Sequence, residues 1–374
     1  MKKKRLICIS HAFVKKINLS AFERLSENKN FQITCIGPEV HCDHEGKKYF
    51  PDFDIQNVSL DMRLLKLKFK NLRFIYFNNI KKIIKEINPN VIILDNDTVT
   101  FQSLILIFYS FFYKFNICYF CNENNVQNIL KKFEFKKLIK LIILFLINNL
   151  IKWKVHKIFC YTKEIKKNYD FLGYKNKTVI MPLGYDEKVF KIYDKKINSK
   201  FIISYFGRIN PEKGIHTLLK SLENLKFDNW IFMFDVFHIN NINYFKKLKP
   251  QLKELMRKNQ LKLVKCNYFE IAKYMSMSDL VVMPEEIEPQ YGRVIQESVA
   301  CGALTIASNI GAHPEIIEDQ DLLFKPGDSD QLRNLINKIY FDKNFRDTKF
   351  NNLYKRITSN RSISSQVDIL KNYI

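Results

Sequence analysis

Short apolar runs alternate with segments of helical period along the whole chain, and this alternation limits the folds that the chain can adopt. The runs are bounded by turn residues, a pattern typical of parallel strands covered by helices. In the first half the strands are predicted at Leu6–Ser10, Gln32–Ile36, Val91–Asp95, Ile117–Cys121, Lys157–Tyr161 and Thr178–Met181. In the second half they are predicted at Phe201–Phe206, Trp230–Val236, Leu261–Lys265, Leu280–Met283 and Leu304–Ala307. The prediction is an α/β fold with two doubly wound, Rossmann-like domains.

The domain boundary is predicted in the polar, lysine-rich stretch within 186–200, because a new strand begins directly after it. The chain of 374 residues is long enough for two ordinary α/β domains, each with its own core. We predict a first domain over 1–190, completed by a C-terminal helix at about 360–374, and a second over 191–359. Open parallel sheets bind ligands at the carboxyl ends of their strands, so the cleft between the two domains is the expected active site.

The positive charge is concentrated in the first half of the chain. Residues 1–200 contain 37 Lys and Arg against 18 Asp and Glu, a balance of +19, whereas residues 201–374 contain 24 against 20, a balance of +4. Such a field attracts phosphate on a nucleic acid or on an anionic membrane surface. The bias of an AT-rich genome towards lysine explains the total positive charge better than it explains the difference between the two halves.

Two apolar stretches of the chain are candidates for membrane segments. Residues 98–113 and 141–151 lack charge but are shorter than the about 20 residues of a spanning helix. Lysines flank the second stretch on both sides, which fits an interfacial helix, and slightly better an ordinary buried helix with solvated ends. Eight scattered cysteines with no signal peptide before them predict reduced thiols and a cytoplasmic protein.

The first segment with recognisable chemistry follows the predicted strand Phe201–Phe206. It contains Gly207, Arg208, Lys213 and Gly214 and leads into a helix with one apolar face. A strand, a glycine-bounded loop with two cations and a helix start form a good anion site, in which Arg208 can grip a diphosphate and Lys213 acts as a point charge. Spacing alone fits a surface loop with stray cations about equally well.

The second segment, 284–302, follows the predicted strand Leu280–Met283. Its loop contains Glu285, Glu286 and Glu288, and its helix places Glu297 in an otherwise apolar stretch before Gly302. Carboxylates beside a cationic diphosphate site can accept hydrogen bonds from sugar hydroxyls. A solvated acidic loop is the alternative, but it leaves Glu297 unexplained.

These residues carry a resemblance to a known family. Gly207-Arg208 to Lys213-Gly214 resembles the G-R-x-x-x-E-K-G motif of glycosyltransferase family 4, retaining enzymes of the GT-B fold. The run from Tyr291 to Glu315 is similar to the second signature of that family, and Pro182 to Asp186 to its P-x-G-x-D element. Order and spacing match over residues 180–327.

The resemblance implies a role for each matching residue. Arg208 and Lys213 would bind the donor diphosphate and stabilise its charge in place of a metal ion, so that no cofactor and no metal are expected. Glu297 would bind the nucleotide ribose. The implied donor-binding set is Gly207, Arg208, Lys213, Glu288, Tyr291, Gly292, Arg293, Val294, Glu297 and Gly311.

The chain departs from the family pattern at two places. Family members have seven residues between two glutamates, but position 289 here is proline, so Glu288 is assigned to the donor hexose, with Glu286 as the alternate. The usual glycine-rich loop after the first strand is replaced by a segment, 10–20, without glycine. On the acceptor side the strand ends offer His11, Asp95, Asp97 and Glu123; Glu123 is predicted as catalytic, with turn capping as the alternative.

The function predicted is a hexosyltransferase of the glycosyltransferase class (EC 2.4). It would use a UDP-, GDP- or ADP-sugar and a glycan or lipid-linked glycan acceptor in bacterial surface polysaccharide, lipooligosaccharide or glycan synthesis. The basic first half favours a peripheral position at the inner face of the cell membrane. One rival is a GT-B nucleotide-sugar epimerase. A nucleic-acid-binding protein is disfavoured, because the motifs lie in the nearly neutral half and no nucleic-acid module is present.

Overall fold

The structure of the chain is a computed structural model. It describes residues 3–42, 48–69, 73–121, 135–193, 200–237, 239–268, 270–289 and 291–374. The Cα positions divide the chain into two compact units: unit 1 comprises 1–182 and 363–374, and unit 2 comprises 183–362. The division falls between Pro182 and Leu183, a few residues before the boundary expected near 190. Each unit is built on its own parallel sheet.

Unit 1 contains a parallel sheet of seven strands in the order β5-β2-β1-β6-β7-β8-β9. The strands are β1 (Lys4–Ile9), β2 (Phe31–Pro38), β5 (Asp61–Leu65), β6 (Val91–Asp95), β7 (Asn116–Cys121), β8 (Val155–Cys160) and β9 (Thr178–Ile180), with a separate short hairpin of β3 (His41–Cys42) and β4 (Lys48–Tyr49). The central strands bury nearly all their side chains, as the continuous apolar runs require. Six of the seven were predicted; β5 was not, because its sequence DMRLL mixes charged and apolar residues at a sheet edge.

The described helices of unit 1 are α1 (Ser20–Ser26), α2 (Ile80–Ile87), α3 (Phe101–Tyr109), α4 (Phe135–Ile151), α5 (Lys163–Tyr169) and α13 (Ile363–Lys371). The last of these packs against α1, where Arg24 donates a hydrogen bond to Ser364 (3.4 Å). A helix from the end of the chain is therefore part of the unit that contains the beginning. In the stretches that the structure describes, no helix combines the length and apolarity needed to cross a membrane.

Unit 2 contains a parallel sheet of six strands in the order β12-β11-β10-β13-β14-β15. These are β10 (Phe201–Tyr205), β11 (Trp230–Asp235), β12 (Leu261–Val264), β13 (Leu280–Met283), β14 (Leu304–Ser308) and β15 (Leu323–Phe324). The first five were predicted, and β15 was missed because two residues give no periodic signal. The order reverses between β10 and β13, which are direct neighbours with Ile203 opposite Leu280.

The helices of unit 2 are α6 (Ile215–Leu222), α7 (Ile242–Arg257), α8 (Ile271–Met277), α9 (Arg293–Ala300), α10 (His313–Ile317), α11 (Ser329–Phe341) and α12 (Lys343–Asn360). One hydrophobic core joins them to the sheet. On α6 this core takes up the predicted apolar face, Ile215, Leu218, Leu219 and Leu222. The two parallel sheets confirm the predicted α/β class.

Candidate donor site at the carboxyl ends of β10, β13 and β14

The reversal of strand order in unit 2 defines the place where a ligand is expected. In open parallel sheets a ligand binds beyond the carboxyl ends of the two strands at which the order reverses. Here those strands are β10 and β13, and the loops that leave them are 206–214 and 284–292. Both segments that the sequence motifs single out therefore leave the sheet at the same point.

Gly214 brings these two loops into direct contact. It has a φ of +62°, and a Cβ built on it would lie 1.8 Å from the carbonyl oxygen of Pro284. A side chain is excluded by both the backbone conformation and the lack of space. Next to this contact the backbone N–H of Glu286 donates to the carbonyl of Glu212 (2.9 Å). The cationic loop is thus fixed to the end of β13 by its backbone.

Lys213 is held inside this junction by a buried carboxylate. Its Nζ lies 3.1 Å from Oε1 of Glu285, and both side chains are largely shielded from water. The other carboxylate oxygen, Oε2, lies 3.6 Å from Nε2 of His313 at the start of α10. The cluster Lys213–Glu285–His313 therefore links the loops after β10, β13 and β14.

His313 is the neutral member of this cluster. Burial lowers its pKa, and its Nδ1 lies 3.1 Å from the carbonyl oxygen of Ser308, to which a protonated Nδ1 donates. Its Nε2 faces Oε2 of Glu285. The charge of Glu285 is consequently balanced by Lys213, and removing Lys213 would leave a buried carboxylate without a cation.

Arg208 is the exposed cation of the loop. Its side chain is 56% exposed, and its guanidinium lies 3.7 Å from Glu212, a distance too long for a strong hydrogen bond. The backbone beneath it is fixed, since the hydroxyl of Tyr205 donates to the carbonyl of Arg208 (2.7 Å). Gly207 precedes it with a φ of +149°, a conformation that favours glycine. The guanidinium can therefore turn towards an anion while its backbone stays in place.

Glu286 is engaged by residues of α6. Its Oε1 accepts a hydrogen bond from Thr217 and lies 3.1 Å from Nε2 of His216, whose Nδ1 contacts the hydroxyl of Tyr244 (2.8 Å). Glu288 lies half-buried two residues further along the same loop. The next residue, Pro289, approaches Gly311, where a Cβ would lie 2.7 Å from the proline ring. Glu288 and Gly311 are thereby brought to neighbouring positions.

Glu297 lies in the second turn of α9 and is buried. Burial raises the pKa of its carboxyl to about 7, and the nearby charge of Arg293 acts in the opposite direction. Tyr268, which follows β12, is close enough for the carboxylate to raise the pKa of its phenol further. A carboxyl group that changes charge near neutral pH is unusual and marks a candidate functional residue.

The remaining residues of the second motif shape the start of α9. The hydroxyl of Tyr291 donates to the carbonyl of Leu183 (3.2 Å) and accepts from Arg361 (3.2 Å). Gly292 is packed so closely that a Cβ would lie 3.0 Å from the ring of His313. Arg293 and Val294 follow as half-buried residues of the first turn. Tyr291 thus has a clear structural role, in addition to the donor contact that the motif implies.

The strand order of unit 1 reverses between β1 and β6, and polar residues gather there too. The hydroxyl of Ser10 donates to Asp95 (2.6 Å), and the hydroxyl of Tyr169 donates to Asp97 (2.8 Å). Burial lowers the pKa of His11 to about 4, so it is neutral at pH 7. The loop after β1 forms two 3-10 turns where the family has glycines. Glu123, the predicted acceptor residue, lies outside the described residues.

Comparisons with known proteins bear on the fold and on the segment that contains the candidate donor site. The fold is GT-B: an Anabaena protein, HepE, solved in complex with UDP and glucose, aligns with a TM-score of 0.71 at 16% identity, over 99% of this chain and 98% of that one. Residues 187–357, which contain the whole candidate donor site, match the family model described as Glycosyl transferases group 1.

Two curated relatives match part of the chain. An uncharacterized glycosyltransferase of Methanocaldococcus jannaschii is 24% identical over 51% of this chain and 52% of its own length. The lipopolysaccharide 1,2-N-acetylglucosaminetransferase of Salmonella typhimurium is 29% identical over 38% of this chain and 40% of its own length. The chain therefore aligns with about half or less of these relatives. The family model and both relatives are named for glycosyltransferases.

Proposed function

We propose that this chain is a retaining, metal-independent glycosyltransferase of the family 4 type. It moves a hexose from a nucleotide-diphosphate donor to a hydroxyl of a glycan or lipid-linked glycan. The observation that carries the proposal is the junction of Arg208 and Lys213 with the end of β13, inside the segment that matches the glycosyltransferase family model.

The two cations have different tasks in this proposal. Lys213, fixed by Glu285, presents a positive charge in a constant position, and Arg208 closes on the diphosphate from the solvent side. Both stabilise the negative charge that develops on the diphosphate as the sugar departs. This electrostatic stabilisation is what a divalent cation supplies in other transferases, which supports a metal-independent reaction.

Two carboxylates are assigned to the hydroxyl groups of the donor. Glu297 accepts hydrogen bonds from the ribose hydroxyls, and its ionised form offers both oxygens as acceptors. For the hexose we retain Glu288, the acid nearest to the position at which the family has its first glutamate, with Glu286 as the alternate. Gly292 and Gly311 bring the backbone close to the donor.

The acceptor is proposed to be a surface glycan or its lipid-linked precursor. The name of the Salmonella relative supports this class, and the +19 balance of residues 1–200 suits an acceptor at an anionic membrane surface. The enzyme would then work in the cytoplasm, peripherally at the inner face of the membrane. Attack by the acceptor hydroxyl on the face from which the diphosphate leaves accounts for retention.

The proposal is tested with the full chain and a panel of UDP-, GDP- and ADP-sugars, each with and without chelator. We expect one nucleotide series to raise the melting temperature, by the linkage of binding to folding, and chelator to leave the shift unchanged. Arg208→Ala should abolish the shift, while Arg257→Ala, an exposed arginine of α7, should retain it. Stabilisation by no donor contradicts the donor assignment. A shift lost with chelator contradicts metal independence, and release of an isomerised donor without an acceptor indicates an epimerase.

A further inference from the structure

Helix α3 exposes apolar side chains on its outer face, although it also buries others. Phe101, Leu104 and Phe108, spaced three and four residues apart, are exposed, whereas Gln102 and Ser103 are fully buried beside Leu106 and Ile107. Ordinary surface helices of water-soluble domains have polar residues on their outer face. The medium that this helix faces is therefore expected to be less polar than water.

Hydrogen bonds fix α3 in this orientation. The hydroxyl of Ser103 donates to the carbonyl of Thr98 and lies 2.6 Å from the hydroxyl of Tyr119. The amide oxygen of Gln102 accepts from the backbone N–H of Phe77 (3.0 Å). Rotating the helix to bury its phenylalanines would break these bonds and leave buried polar groups without partners.

Helix α4 repeats the arrangement. Ile142, Ile143, Leu146 and Leu150 are exposed, while Asn148 is buried and its amide oxygen accepts from both Thr98 and Tyr174, each at 2.7 Å. Two neighbouring helices that both present apolar side chains outwards are more than the scattered surface residues found on any protein.

The C-terminal ends of the two helices form one continuous surface. The rings of Phe111 and Trp153 meet edge to face with centroids 5.4 Å apart, and the ammonium group of Lys154 lies over both rings. We call the outward side chains here the apolar face: Phe108, Phe111, Phe112, Leu146, Leu150 and Trp153.

The charges of described residues beside this face select its occupant. Lys114 is exposed, and Lys152 and Lys154 lie half-exposed where α4 ends. A second copy of the chain would place these cations against one another, whereas anionic lipid headgroups would neutralise them.

We propose that the apolar face binds the surface of an anionic lipid bilayer, with α3 and α4 lying in the plane of the headgroups. The phenylalanine, leucine and tryptophan side chains enter the boundary of the acyl chains, and the lysines extend to the lipid phosphates. Helix α4, with 17 residues, is about 26 Å long and lies on the bilayer without crossing it. This inference does not depend on the donor site.

The test is co-sedimentation of the full chain with vesicles of phosphatidylcholine alone or with about 30% phosphatidylglycerol. We expect binding to the anionic vesicles, weakened about tenfold or more by Phe112→Ser/Leu150→Ser, because two large apolar contacts are lost. The matched control is Phe50→Ser/Ile242→Ser. Phe50 and Ile242 lie outside the apolar face and are 60% and 64% exposed, close to the 68% and 71% of Phe112 and Leu150.

A second variant tests the charges. Lys114→Gln/Lys154→Gln should weaken binding to anionic vesicles about tenfold and leave the donor-induced thermal shift of the chain unchanged. The proposal is overturned by equal binding to neutral vesicles, by the absence of binding, or by the same loss in the control pair. It is also overturned if the face proves to hold a second copy, seen as a dimer in analytical ultracentrifugation that Phe112→Ser/Leu150→Ser dissociates.

Discussion

Glu297→Gln should make the protein more stable and at the same time weaken its binding of a nucleotide sugar. Burial raises the pKa of Glu297 from 4.5 to about 7 in the folded chain. The folded chain therefore holds a proton that the unfolded chain releases between those pH values, and the stability that this proton contributes is lost as the pH rises towards 7. Above pH 7 the protein must keep a buried charge, which the glutamine removes while preserving the shape.

The magnitude follows from the shift in pKa. A difference of about 2.5 pKa units corresponds to about 3 kcal/mol, so the variant should gain up to that amount in free energy of unfolding at pH 8. At pH 4 the carboxyl is protonated in both states, and the gain should vanish. Urea denaturation at the two pH values measures the difference. Glu254→Gln, on the exposed side of α7, is the matched control and should change stability little at either pH.

Donor binding should change in the opposite direction. If the ribose hydroxyls require the carboxylate, affinity for a UDP-sugar should rise about tenfold from pH 6 to pH 8 in the parent chain, following the ionised fraction of a group with a pKa near 7. The ligand in this assay should be a UDP-sugar and not UDP, because the terminal phosphate of UDP itself titrates in this pH range. In Glu297→Gln the affinity should be lower and independent of pH. A flat profile in the parent, or an equally steep one in the variant, refutes the reasoning.

Three further outcomes are expected. Gly214→Ala should lower the melting temperature sharply and reduce the free energy of unfolding by more than about 2 kcal/mol, because the new Cβ meets the carbonyl oxygen of Pro284. The control Gly327→Ala also has a positive φ, of +77°, but its Cβ would have no atom closer than 4.0 Å. It should reduce the free energy of unfolding by about 1 kcal/mol. Equal losses would contradict the packing argument. Lys177→Met should cost about 1 kcal/mol in urea denaturation, because Nζ of Lys177 donates to the carbonyls of Lys152 and Val155; exposed Lys175→Met should cost nothing measurable. Lys213→Met should abolish donor binding, and adding Glu285→Gln should restore the lost stability without restoring binding, since it removes only the uncompensated buried charge.

The sequence predicted the sheets well because nearly all their strands are buried on both faces. Val91–Asp95 and Leu280–Met283 were located to the residue, since continuous apolar runs between turns have few other interpretations. The hairpin strands β3 and β4 were missed, and so were β5 and β15, which lie at edges of the two parallel sheets, where burial constrains the pattern less. Helices with an apolar residue at almost every position, such as α3, give no indication of which face is buried.

The sequence indicated which loops and helices form the candidate site, but not which side chains contact one another in it. Spacing indicated that Lys213 lies near acidic residues, but three glutamates follow β13 within four positions. Which of them turns inward depends on the close approach of Gly214 to Pro284, a contact between residues 70 positions apart. No local pattern indicates that the ring of His313 faces Glu285. The roles of Glu288, Glu297 and Glu123 stay predictions.

The discontinuous composition of unit 1 has a consequence for biosynthesis. Unit 2 is a single stretch, 183–362, and all of it leaves the ribosome before helix α13, which unit 1 needs against α1. During synthesis the N-terminal domain usually folds first. Here unit 1 begins to be synthesised first, but it can be completed only after all of unit 2 has been made. Loss of the chain after Ser362 would remove α13 from unit 1 and leave every residue of unit 2 in place.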